Sequence, residues 1–152
     1  MTGNNTKTWI LVADGEHARV VVPAPHHHFR TITSLDSATA HQRSTDLGTD
    51  RPGRSFESAN PTRHAIEPKS DPHRAAKQGF AHYLAGQMNA AAAEGQFDRL
   101  VLVAPAHALN DLRAALDGLA AARLDGTLTK DIVKLPEADL EEHLEPFWSP
   151  PA

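Results

Sequence analysis

Apolar residues in this chain fall first into two short blocks. Trp9 to Ala13 is a continuous apolar run, and Ala18 to Val22 is a second, rich in β-branched residues. Runs of that length and type predict buried strands. Asp14-Gly15 between them is a strong two-residue hairpin signal, because both residues tolerate positive φ. In Phe29 to Leu35, Phe29, Thr31, Thr33 and Leu35 alternate with Arg30, Ile32 and Ser34. That period of two predicts a third strand, and so a β-meander over the first third of the chain.

From Asp36 to Ser70 the periodicity disappears. The stretch holds Pro52, Pro61 and Pro68 and very few large apolar residues, so 36–70 reads as one long loop. Loops beyond about 15 residues are uncommon inside compact domains and tend to be functional or disordered. Helical spacing then begins, with Ala76, Phe80, Tyr83, Leu84, Gln87, Met88 and Ala91 on one face. Asp71 suits the N-cap, Pro72 the first helical position and Gly95 the end. "DRLVLVAP", Asp98 to Pro105, is the clearest buried strand. "HALNDLRAALDGLAAARL" predicts helix, with Leu109, Leu112, Leu116 and Leu119 on one side and a break at Asp117-Gly118. "GTLTKDIVKL" reads as a last strand, "PEADLEEHL" as a short acidic helix from Pro136, and 145–152 as an irregular tail. The expected order is β-β-β-(long loop)-α-β-α-β-α. It implies an α/β fold, a single domain over 1–152 with helices packed on a mixed sheet.

Charge narrows the possible partners. The chain of 152 residues carries a formal charge of -4, which excludes a global basic field for nucleic acid. Any polyanion contact has to be local. From Asp36 to Lys77 there are seven Lys/Arg against six Asp/Glu, a net of +1, so the loop is the least acidic part of an acidic chain. The absence of cysteine rules out disulfides and thiolate metal sites. The apolar run at Trp9–Ala13 is too short for a signal peptide or a membrane span, so a cytoplasmic protein with no membrane partner is expected.

Candidate chemistry is sparse. Asp14 suits a metal-holding carboxylate on a first strand, but a turn residue is the better reading, since no second carboxylate lies within an evident strand nearby and Asp98 precedes its strand. His26-His27-His28 follows Pro23 and Pro25 and reads as a solvated turn, since neighbouring strand residues face opposite sides. His107 falls where a strand hands over to a helix, a common ligand position, and is a candidate rim residue. No Ser-His-Asp or Cys-His pattern, glycine-rich phosphate loop or HExxH motif occurs, so no catalytic residue, metal or cofactor is expected. The polar stretch "GTDRPGR" is the more specific signal. Arg51 and Arg54 can make bidentate contacts to phosphate or carboxylate, around a Pro52-Gly53 turn that Thr49 or Asp50 can brace.

These pieces together resemble a known family. "WILVADGEHARVV", "GTDRPGRSFES", "FDRLVLVAPAHALNDLRAAL" and "LTKDIVKLPEADLEEHL" look like the host attachment protein family, bacterial proteins described as required for attachment to host cells. The likeness runs from about Thr8 to Leu144. That family is similar in turn to the middle domain of archaeal and eukaryotic peptide-chain release factors and of Pelota. The resemblance implies a ribonuclease-H-like mixed sheet and a loop, here 36–70, that touches RNA or the ribosome. No Gly-Gly-Gln stands in that loop, and Gly95-Gln96 lies after the helix, so peptide release does not carry over.

Three functions follow as expectations. The first is a non-catalytic domain contacting RNA or ribosomes through Thr49, Asp50, Arg51, Gly53, Arg54, Arg63 and His64. The second is a hydrolase on a phosphorylated or ester substrate, with Arg51 and Arg54 clamping the anion and His64 or His107 as acid or base. The third is a protein-interaction module whose loop orders on a protein partner. Oligomeric state is not legible in the sequence.

Overall fold

The strands form where the apolar runs fall. A computed structural model of the protein describes residues 6–40 and 72–151. β1 is Thr8–Ala13, β2 His17–Ala24 and β3 His28–Asp36; β4 is Arg99–Ala104 and β5 Leu124–Thr129. They make one five-stranded sheet in the order β3-β2-β1-β4-β5. β2 pairs antiparallel with β1 and β3, while β4 pairs parallel with β1 and β5. The sheet is therefore mixed, and β2 alone runs against the other four strands.

Helices cover both faces of this sheet. α1 is Pro72–Ala93, α2 Ala106–Ala115, α3 Gly118–Ala122 and α4 Glu137–Leu144. One core joins Leu11, Ala13, Leu100, Leu102 and Ala104 to Phe80, Leu84 and Met88 of α1 and to Leu109 and Leu112 of α2. The other joins Ile10, Val12, Val101 and Val103 to Leu140 and Leu144 of α4. Alternate residues of β1 and β4 thus feed opposite cores, and both strands need an unbroken apolar run. Each of these large side chains contributes about 1.5–3 kcal/mol by leaving water.

Local chemistry sets the ends. Gly95, at φ 72°, closes α1: its N–H donates to Ala92 O (3.0 Å), and Gln96 N–H donates to Ala91 O (2.9 Å). This is a Schellman motif, in which glycine supplies the left-handed residue. Asp117 separates α2 from α3 and caps the latter, its side chain accepting from Ala120 N–H at 2.9 Å. Asp36 does the same for the helical residues 37–40, accepting from Thr39 N–H at 2.7 Å. That backbone N–H, foremost, holds its carboxyl below the ordinary carboxylate value.

Several expectations change. The periodic structure does not stop at Asp36, because 37–40 is helical and Ala40 is buried. β5 ends at Thr129; Ile132 and Val133 are buried in the turn that follows, so their apolarity marks core contact rather than strand. Leu119 is 42% exposed and does not join the other α2 leucines, since the break at Leu116–Asp117 resets the helical phase. The tail is also ordered by contact. A 3-10 turn at Glu145–Phe147 seats Phe147 and Trp148 against the α4 side of the sheet. The connection between β1 and β2 is longer than a two-residue hairpin, for a reason that concerns the site.

Candidate functional site at the carboxyl edge of the sheet

The carboxyl ends of β1, β3, β4 and β5 share one edge of the sheet, because β2 alone is reversed. From β1 the chain returns along β2, whereas from β4 it crosses through α2 and α3 to β5, on the other side. Neighbouring strands whose connections leave in opposite directions open a crevice at their carboxyl ends. A cleft of about 380 Å³ lies there. Its walls are the Asp14–Glu16 turn, Arg74 and Lys77 of α1, the start of α2 from Pro105 through His107 to Asp111, and Asp131 beyond β5.

Asp14 builds the turn. Its Oδ1 accepts from Glu16 N–H (2.8 Å) and His17 N–H (2.7 Å), and its own N–H donates to His17 O (2.9 Å). This is an Asx-type turn, and the aspartate side chain, not glycine, reverses the chain. Among the described residues Gly95 is the one glycine with positive φ, so Gly15 does not use the conformation that the sequence suggested. A Cβ on Gly15 would instead lie 2.7 Å from Lys77 Cγ and 2.8 Å from its Cδ. The aliphatic stem of Lys77 crosses the turn directly over this glycine.

The cleft carries mixed charge. Asp14, Glu16, Asp111 and Asp131 bring carboxylates, and Arg74 and Lys77 bring cations. Among the described residues, the ion pairs within 4.0 Å leave Arg74 and Lys77 unjoined to any of those carboxylates. No group of three or more His, Asp or Glu among the described residues is placed to hold a metal ion. The geometry offers two available cations and one imidazole, His107, around a space sized for a small group or the end of a larger ligand.

Of the residues singled out from sequence, His107 lies in the cleft wall and Asp14 beside it. Thr49, Asp50, Arg51, Gly53, Arg54, Arg63 and His64 lie outside the described residues, as does Asp71. The described chain does fix where their segment attaches. Ala38 and Ala40 on one side and Ala76, Gly79, Phe80 and Tyr83 of α1 on the other line a common groove of about 440 Å³. Arg74, Lys77, Asp111 and Asp131 were not anticipated. Periodicity marks Arg74, Lys77 and Asp111 as solvated helix positions and Asp131 as part of the predicted last strand, and only the folded chain brings them together.

The histidine tract is a turn, as its sequence suggests. His26 (φ 63°) and His27 (φ 60°) are left-handed, and the turn closes where Ala24 pairs with His28. It is also a fastening. His27 stacks on Trp148 with ring centroids 3.9 Å apart, and its Nδ1 lies 2.9 Å from Glu145 Oε2. His28 Nδ1 meets Glu141 at 3.2 Å, and Trp148 Nε1–H donates to Ala24 O at 2.8 Å. Glu141 also accepts from Phe29 N–H and Glu137 from Thr31 N–H, each at 3.0 Å, which closes the outer edge of β3. The Phe29 N–H, and then His28, hold the Glu141 carboxyl below its ordinary value.

A five-stranded mixed sheet with helices on both faces and a charged cleft at its carboxyl edge defines an α/β domain. The chain belongs to the family described as "Protein required for attachment to host cells", whose sequence profile matches residues 9–144. No curated protein matches the chain.

Proposed function

We propose that this domain is a non-catalytic binding domain of the bacterial cytoplasm that contacts RNA, on or near the ribosome, through the carboxyl edge of its sheet. The observation that carries this reading is the pair Arg74 and Lys77. They stand in the first two turns of α1, where the 41–71 segment rejoins the fold, and no carboxylate among the described residues neutralises them. The segment's own Arg51, Arg54, Arg63 and His64 would extend this basic set, with Thr49, Asp50 and Gly53 shaping the turn between the arginines. The strand order β3-β2-β1-β4-β5 with β2 reversed supports a ribonuclease-H-like sheet, and with it the likeness to release-factor middle domains. The four carboxylates lining the cleft oppose a polyanion inside it, so the contact runs along the α1 rim.

Sedimentation through sucrose gradients tests this. The wild type travels with ribosomal particles at low salt and leaves them as salt rises, because phosphate contacts release counterions. Arg51→Ala/Arg54→Ala stays at the top of the gradient. A wild type that stays at the top at every salt concentration sinks the reading.

One observation favours a second reading, a hydrolase on a phosphorylated or ester substrate. His107 shares the cleft wall with Arg74 and Lys77, an imidazole beside two cations able to hold an anion. Turnover of a phosphoester or carboxylester panel that His107→Ala abolishes, with folding intact, would put this reading first.

A further inference from the structure

The structure assigns Gly15 as the positioning residue for Lys77, which it holds over the β1–β2 turn as a phosphate-contacting cation of the carboxyl-edge cleft. This deepens the binding reading above and rests on it.

Three observations converge. The first is that Gly15 has no conformational reason to be glycine, since it lacks positive φ and Asp14 makes the turn with its own side chain. The second is the close approach. A Cβ at position 15 would sit 2.7, 2.8 and 3.0 Å from Cγ, Cδ and Cε of Lys77. Contacts under 3 Å with the stem, rather than with the tip, cannot be relieved by a small rotation of the amine. Either the lysine stem shifts to another rotamer or the turn itself moves, and the stem is the softer of the two. The third is that Lys77 and Gly15 both line the cleft, and Lys77 has no ion pair there among the described residues.

Physical chemistry connects these facts. A lysine on an exposed helix face normally samples many rotamers, and fixing it costs up to about 2 kcal/mol of side-chain entropy. Laying its methylenes along a flat backbone surface offsets part of that cost through apolar contact, while the ammonium stays in solvent. Glycine supplies the flat surface. A cation prepared in this way meets a phosphate with less ordering left to do.

The test uses the full chain and a single-stranded RNA oligonucleotide, with affinity measured against KCl concentration. Lys77→Met keeps the stem and removes the charge, so it folds as the wild type does. It is expected to lower the slope of log K against log salt by about 0.7, which near 0.1 M salt is about a fivefold loss. Gly15→Ala is expected to produce much of the same loss with the lysine still present. Gly15→Ala/Lys77→Met is expected to be no weaker than Lys77→Met alone, because the glycine acts only through the lysine. Thermal melting separates these effects from unfolding. Additive losses, or a wild-type slope in either single variant, overturn the assignment while leaving the RNA reading intact. A wild type that binds no oligonucleotide overturns the RNA reading, and the phosphate role of Lys77 with it.

Discussion

Two regions of this molecule gather histidines and carboxylates, and they treat charge in opposite ways. At the β2–β3 turn His27 faces Glu145, His28 faces Glu141, and Glu137 and Glu141 hold backbone N–H groups of β3. At the carboxyl edge, Arg74, Lys77 and His107 share a cleft with four carboxylates, Asp14, Glu16, Asp111 and Asp131, yet form no ion pair with them among the described residues. Groups that satisfy one another hold structure together. Cations held beside open space and left unpaired are available to something else. Composition alone points the wrong way, since the His-His-His tract draws attention to the fastening and hardly any to the cleft.

The contrast predicts that substitutions at the turn act on stability and substitutions in the cleft act on binding. Trp148→Ala removes a half-buried indole, its stack on His27 and its bond to Ala24 O, and is expected to cost about 2 kcal/mol in chemical denaturation. RNA affinity should not change. A drop in affinity without a drop in stability would reverse the assignment of the two regions.

Glu141→Gln comes next. It leaves one acceptor for Phe29 N–H but loses the charge, at about 1 kcal/mol after allowance for solvent screening. The same carboxylate gives a pH signature. Its folded value is depressed, so its contribution is fully present above the ordinary value of 4.5 and fades as pH falls through the lowered folded value. Denaturation midpoints of the wild type should therefore fall more steeply than those of Glu141→Gln on acidification from pH 5. Parallel curves would show that Glu141 does not fasten the edge of β3.

The smallest stability effect belongs to the cleft. Arg74→Ala should change stability by no more than about 0.5 kcal/mol, since Arg74 is half-buried at the cleft rim and makes no ion pair among the described residues. It should nevertheless lower the salt slope of RNA binding, as loss of one phosphate contact does. A large loss of stability would mean that Arg74 is structural after all.

Sequence order and tertiary contact divide the account between them. The chain by itself determined its elements wherever one short-range cause acts. Unbroken apolar runs made β1 and β4, because a strand covered on both faces has no polar side to show. Phe80, Leu84 and Met88 at helical spacing made α1, Gly95 closed it with the one backbone conformation that other residues resist, and Asp117 divided α2 from α3 with a cap. It also placed His107 at a strand-to-helix junction. What required the folded chain is whatever depends on residues far apart in sequence. Gly15 is glycine because of Lys77, 62 positions later, and not because of its own turn. Ile132 and Val133 are apolar because α4 folds back over them, and the tail is ordered because Trp148 meets a turn begun at Pro25. The cleft exists because β2 is reversed, so that the chain leaves β1 and β4 in opposite directions, which brings Asp14, Arg74, His107 and Asp131 to one edge. Periodicity records which face of an element avoids water, whereas a site is set by which elements become neighbours, and that is fixed only when the sheet assembles.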